Sequence, residues 1–222
     1  MRVTTVAKAR QDAGTCGKCG ATLGAGSAYR WWKSRFGPKR VRCMARTCDP
    51  KPSELVTNEV TSAALGIAET TEDAIGGAES VGEVNDAMEE AASNIQSDVI
   101  EACEEKMSNI ESGFGHTDIP AYAEIEERKD EYESWMSAVE GWQGDDIDLT
   151  VVVKDAEGVE WSVDYAPGDN CFSEEDALAA VVEAEVPEAS REAAVAQLRE
   201  AFADALEEAR SGARDALGEC PA

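Results

Sequence analysis

The clearest chemistry in the chain is carried by four cysteines near its start. Cys16 and Cys19 are separated by two residues, Cys43 and Cys48 by four, and 23 residues lie between the pairs. Two thiolate pairs, each in a short turn and joined by a loop that leaves and returns, meet the needs of a tetrahedral Zn²⁺ site. With four thiolates bound no position is left for water, so the spacing predicts a structural zinc. A module this small lacks the core to fold alone, and the metal would supply most of its folding free energy. Gly17 and Gly20 let the first turn take left-handed dihedrals without steric cost.

The loop between the pairs interleaves six bases, Arg30, Lys33, Arg35, Lys39, Arg40 and Arg42, with Tyr29, Trp31, Trp32 and Phe36. Cations neutralise phosphates and aromatic faces stack on bases, so this is a candidate nucleic-acid contact. The same composition suits an acidic protein surface, including this protein's own, or a small core whose bases are simply solvated. In a hairpin, adjacent Trp31 and Trp32 cannot both point inward, and one is expected to be exposed.

No other residue set stands out. Cys103, Cys171 and Cys220 are isolated and read as free thiols, and the single histidine, His116, lies in a glycine-containing joint. Acidic pairs such as Glu89-Glu90 and Asp145-Asp146 do not rise above a background of 46 acids, so no general acid/base pair can be argued from them. No phosphate-binding glycine loop, zinc-protease motif or nucleophile elbow is present. The expectation is a protein that is not an enzyme, with no small-molecule substrate in evidence from its motifs.

The charge is unevenly distributed. Residues 1–53 carry twelve Lys/Arg against two acids, a balance of +10, whereas residues 54–222 carry 8 bases against 44 acids, a balance of −36. A basic head on an acidic body implies separate partners for the two parts, or attraction between them within one molecule. Salt adaptation would also enrich acids, but it would act on the whole surface, the head included. No apolar run is long enough to span a membrane, and the first residues lack the apolar centre of a signal peptide. Cysteines paired at metal spacing fit a reducing, intracellular compartment.

The elements that must position these residues can be read from pattern. Residues 1–14 read as a flexible lead and 15–52 as the metal module. Pro50, Pro52 and Ser53 mark a boundary, with Ser53 as the cap of the first helix. Apolar residues at three- and four-residue spacing then predict three helices over 53–142, the second opened by a Ser80/Glu83 capping box and the third running from Pro120. Alanine-rich faces suggest an antiparallel bundle with a thin core. Alternation over 147–165 predicts a β-hairpin with Leu149, Val151, Val153, Val159, Trp161, Val163 and Tyr165 on one face and a loop at 155–158. A lone hairpin is unstable in water, so it must lie on a helix or pair with other strands. Ser173 caps a helix, and Pro187 opens a last one whose stripe runs from Val195 to Leu217. The fold class is mainly α, with an N-terminal zinc-ribbon-like β module and a C-terminal hairpin–helix–helix unit over 146–218.

Cys16-Gly-Lys-Cys19, the run from Tyr29 to Cys43 and Pro52-Ser-Glu-Leu55 resemble motifs of a type of uncharacterised protein found in tailed phages of actinobacteria. The similarity extends to about residue 142, through the pattern near Glu124–Trp135, and leaves 143–222 outside it. It implies zinc binding and a viral origin, with the host cytoplasm or the virion as location. The leading expectation is a zinc-stabilised phage protein whose basic head contacts nucleic acid, or a complex bound to it, through Arg30, Trp31, Trp32, Lys33, Arg35, Lys39, Arg40 and Arg42, while the acidic body binds a protein partner. The alternative is a structural or virion-associated component that oligomerises through its alanine-striped helices and binds no nucleic acid. A weaker third reading has the acidic body imitating nucleic acid.

Overall fold

The structure is a computed structural model that describes residues 1–35, 37–154, 157–218 and 220–221, with Asp169 described by its backbone only. It is mainly helical with small antiparallel sheets at either end of the sequence, the mixed α+β arrangement expected.

The head is built on a three-stranded antiparallel sheet in the order β1 (Thr4–Val6), β4 (Tyr29–Trp32), β5 (Arg40–Cys43). A two-stranded hairpin, β2 (Gly14–Thr15) and β3 (Thr22–Leu23), carries the first cysteine pair. Residues 1–14 are therefore not a lead outside the module. Thr4, Thr5 and Val6 pair with Trp31, Arg30 and Tyr29, and Ala9 and Ala13 bond through their backbone to Ser27, Gly26 and Leu23. Three residues are too short for alternation to reveal a strand.

Past the head, α1 (Pro52–Leu55) is a single turn. Ser53 lies inside it rather than capping it, and donates from both its backbone N–H and its hydroxyl to Glu69 at 3.0 and 2.7 Å. The cap of the long helix α2 (Glu59–Gly77) is Asn58, whose side chain accepts from the N–H groups of Val60 and Thr61. Ser80 caps α3 (Val81–Asn94) by accepting from Glu83 N–H, while the Glu83 carboxylate accepts from Glu79 N–H, one residue earlier than a capping box places it.

A π-helical turn over Ile95–Ile100 joins α3 directly to α4 (Glu101–Phe114). Its i→i+5 bonding widens the turn by a residue, so Ile95 and Ile100 both face the core, as Val99 does. Gly115, with φ +71°, ends α4, and Pro120 opens α5 (Pro120–Glu140).

The C-terminal hairpin, β6 (Leu149–Lys154) and β7 (Glu160–Tyr165), has the expected faces: Leu149 opposes Tyr165, Val151 opposes Val163 and Val153 opposes Trp161. Part of its expected loop, residues 155 and 156, lies outside the described residues. The hairpin packs on α6 (Glu174–Glu183), capped by Ser173, and on α7 (Glu188–Leu217), which Pro187 precedes rather than opens from within.

The division expected between a bundle ending at 142 and a unit beginning at 146 fails at α7. The N-terminal part of this helix, through Ala194, Val195 and Leu198, closes a core with Val153, Val163, Tyr165, Ala177 and Val181. Its C-terminal part, through Phe202, Leu206, Ala213 and Leu217, lies in the larger core with α2, α3 and α5. The bundle thus takes a further helix from the far end of the chain. Phe172 joins the two cores, with its ring centroid 5.7 Å from those of both Tyr165 and Phe202.

Candidate metal centre and basic hairpin

The first cysteine pair sits in the turn between β2 and β3. Cys16 N–H donates to Ala21 carbonyl, Gly20 N–H donates back to Cys16 carbonyl, and Gly20 takes φ +72°. Gly17 serves differently from expectation. It needs no left-handed backbone, but a Cβ there would lie 2.6 Å from Arg42, and its N–H donates to Val41 carbonyl, tying the turn to β5. The second pair spans the end of β5 and the 3₁₀ turn Arg46–Cys48.

These turns bring the four sulfurs to within 4.8 Å of one another. Cys19 Sγ and Cys43 Sγ are 3.8 Å apart. Thiolates arranged tetrahedrally about 2.3 Å from one ion would stand about 3.8 Å from each other, so the cluster fits a single ion. Four sulfur donors select a soft or borderline cation over magnesium or calcium.

Cys16 and Cys48 are buried. Burial alone would raise the Cys16 thiol, but the backbone N–H groups of Cys19, Cys43 and Lys18 outweigh it and bring it down to about 6. Cys48 is pushed up to about 12, first by its hydrogen bond to Cys43 and then by burial. A metal ion binds cysteine as the thiolate, so filling the site is coupled to proton release.

The basic hairpin divides by strand alternation. Tyr29, Trp31, Val41 and Cys43 lie on the face over the cysteine cluster, and Arg30, Trp32, Arg40 and Arg42 on the opposite one. That second face docks on the start of the body. Arg42 reaches Glu54 at 2.5 Å, Arg40 approaches the same carboxylate at 4.0 Å, and Arg30 pairs with Asp49. Trp32 is fully buried and donates from Nε1 to Glu54 carbonyl at 3.2 Å, with the Arg42 guanidinium 5.6 Å from its ring. Lys51–Asp73 at 2.9 Å and the Ser53–Glu69 bonds extend the contact to α2.

Of the eight residues expected to meet nucleic acid, then, Arg30, Trp32 and Arg42 are turned to internal partners. Trp32 offers no face for stacking. Trp31 is half-buried, with the Lys39 ammonium 4.8 Å from its ring centroid and 5.3 Å from that of Tyr29. Lys33, Arg35, Lys39 and Arg40 remain exposed.

Sequence reading missed the docking residues Asp49, Glu54, Glu69 and Asp73. The alternation of Arg30 with Trp32 and of Arg40 with Arg42 was the available signal that these four share a face. Of the isolated cysteines, Cys103 is buried, Cys220 half-buried and Cys171 exposed, and no two of them are paired in a disulfide. His116 is exposed in the α4–α5 joint. Among the described residues no helix is long and apolar enough to cross a membrane.

Comparison of the chain with family models, with curated proteins and with solved structures gives no match, and so lends no support to the resemblance to actinobacterial phage proteins.

Proposed function

We propose that this is a non-enzymatic, zinc-stabilised phage protein whose head contacts nucleic acid and whose acidic helical body binds a protein partner. Zinc is the ion that a closed four-cysteine site with no open position best suits. Its role is to hold the β2–β3 turn against β5, so that the hairpin keeps its shape.

One observation carries the nucleic-acid reading. Docking on the body engages only one face of the hairpin, and Lys33 and Lys39 stay exposed at its end. A cationic projection on a chain of net charge −26 keeps a local positive potential only if its own acids do not cover it. The test is fluorescence anisotropy of the zinc-loaded full chain with labelled DNA and RNA at about 50 and about 200 mM salt, a range over which phosphate contacts weaken steeply. Binding that falls in this way supports the reading. No binding at the lower salt refutes it.

A second reading, self-association through the helices, draws on a specific feature of α2. Its face bearing Ala63, Gly66, Ile67, Thr70 and Ala74 borders an open groove of about 350 Å³ against α3 and the π-turn. Light scattering showing a discrete oligomer, with no nucleic-acid binding, would favour this reading.

A further inference from the structure

The aromatics of the basic hairpin are placed to hold cations rather than to receive bases. Trp32 is sealed against Glu54, and Trp31 and Tyr29 share one face of β4. The ammonium of Lys39, just before β5, stands over both rings at 4.8 and 5.3 Å, within the range of a cation–π contact. A base stacking on Trp31 would have to displace this ammonium from the ring face. A phosphate oxygen would not, because a lysine ammonium has three donors and a ring takes up one side of it. Lys33 and Lys39 flank the last strand pair, Trp32 with Arg40, and are both exposed, whereas Arg40 lies on the docked face 4.0 Å from Glu54.

We propose that the hairpin tip is a phosphate-backbone contact in which Lys39, seated on Trp31 and Tyr29, is the fixed cation and Lys33 flanks it, so that the head grips nucleic acid without reading or stacking on its bases. This inference rests on the nucleic-acid reading above and adds a ligand class to it: the phosphodiester backbone, duplex or single-stranded, of any sequence. Contacts to phosphate position a protein and carry no sequence information, whereas binding through stacking requires unpaired bases.

The experiment uses the zinc-loaded full chain and three probes of equal length: a mixed-sequence DNA duplex and its two separated strands. The expected result is affinities within about threefold of one another at equal salt, with log K falling linearly in log salt. Lys39→Gln should weaken all three by a similar factor and reduce the magnitude of the salt slope by about one. Lys33→Gln, away from the rings, should do the same and covers the case in which Lys39→Gln disturbs the metal centre, which metal stoichiometry reports. Trp31→Leu removes a ring but no charge, so it should leave the salt slope unchanged and affect strands and duplex alike. Single strands bound more than about tenfold tighter than duplex, with that preference lost in Trp31→Leu, would overturn the inference while leaving the nucleic-acid reading intact. Failure of every probe to bind would overturn both, and salt-sensitive self-association in the same samples would then identify the hairpin's partner as the acidic body of another copy.

Discussion

Arg42 and Cys43 are consecutive in β5, yet they serve opposite faces of one sheet: the Cys43 sulfur is 3.8 Å from that of Cys19 in the cysteine cluster, and the Arg42 guanidinium is 2.5 Å from the Glu54 carboxylate of the body. The metal centre and the head–body contact are thus mounted back to back on a four-residue strand. Order in one stiffens the other. Glu54→Gln should keep the metal stoichiometry but loosen the docked face. Both side chains of the Arg42–Glu54 pair are largely buried, at 12% and 23% exposure, so loss of this charge-assisted bond should cost about 1.5–3 kcal/mol. Thermal unfolding followed by tryptophan fluorescence checks this, and an unchanged midpoint would show that the contact contributes nothing.

Metal removal should act on the head and spare the body. The cluster holds together two turns whose own apolar core is Cys16, Leu23 and Cys48, too little to fold without an ion. The helices pack around separate cores that include no residue of the head. Treatment with a zinc chelator should therefore leave the far-ultraviolet helical signal nearly intact, while Trp32 emission shifts red as its burial against Glu54 is lost. Cys16→Ser and Cys43→Ser should each lower zinc affinity and give the same spectrum. A large loss of helicity on chelation would show that the body depends on the ion.

Phe202 should report on the unity of the body. It belongs to the core of the helical bundle and its ring meets Phe172, which packs against the hairpin core as well. Phe202→Ala removes the bundle-side ring against which Phe172 bridges the two cores, at a cost of about 3–5 kcal/mol. The wild-type body should melt in one transition. The variant should melt earlier and separate into two calorimetric transitions, one for the bundle and one for the hairpin with α6. A single transition in the variant would locate the coupling elsewhere along α7.

How much of this was legible depended on the range of the interactions involved. The cysteine ligands could be read because each pair is local and the geometry of a thiolate site constrains spacing. The facing of Val151 against Val163, the Ser173 cap and the stripe from Val195 to Leu217 are likewise local periodicities. The surfaces those elements pack against are not local. Nothing in the α7 stripe says that Leu198 meets the hairpin while Phe202, one turn on, meets α2, α3 and α5. Ser53 was a sound capping residue by type, but Glu69, sixteen residues later, claims its hydroxyl and backbone N–H, and Asn58 takes the capping role. The basic hairpin was the instructive case. Composition treated its arginines and tryptophans as one set, whereas pairing splits them by parity into a docked face and an exposed edge.

Acid should weaken the junction between α2 and α7. Hydrogen bonds from Arg214 and then Arg210 hold the Glu207 carboxyl below its ordinary value of 4.5. Arg210 in turn donates to the carbonyl of Ala78, where α2 ends. A carboxyl with a lowered folded-state pKa binds fewer protons folded than unfolded. Its contribution is therefore present above pH 4.5 and lost as pH falls through the folded value. Glu207→Gln should leave a flatter acid limb in stability against pH, with wild type and variant converging at the acid end. Parallel curves across that range would show that the two arginines draw no support from this carboxylate.

Gly144 forms a tight joint between α3 and the segment that links α5 to the C-terminal hairpin. Its N–H donates to Asn85 Oδ1 at 2.8 Å, and the Asn85 amide donates back to its carbonyl at 3.4 Å. A Cβ at this position would lie 2.6 Å from Val81 Cγ1 and 3.2 Å from the Trp142 ring. Val81 is buried in the core and cannot swing aside, while both bonds to Asn85 fix the Gly144 backbone in place. Gly144→Ala should therefore cost about 1–3 kcal/mol, as overpacking does. Asn85→Ala in the same background frees the backbone to move away from Val81, so the double variant should lose less than the sum of the two single losses. Chemical denaturation of the four proteins of that cycle measures the coupling, and strict additivity would mean that the Asn85 clamp does not hold Gly144 against the core.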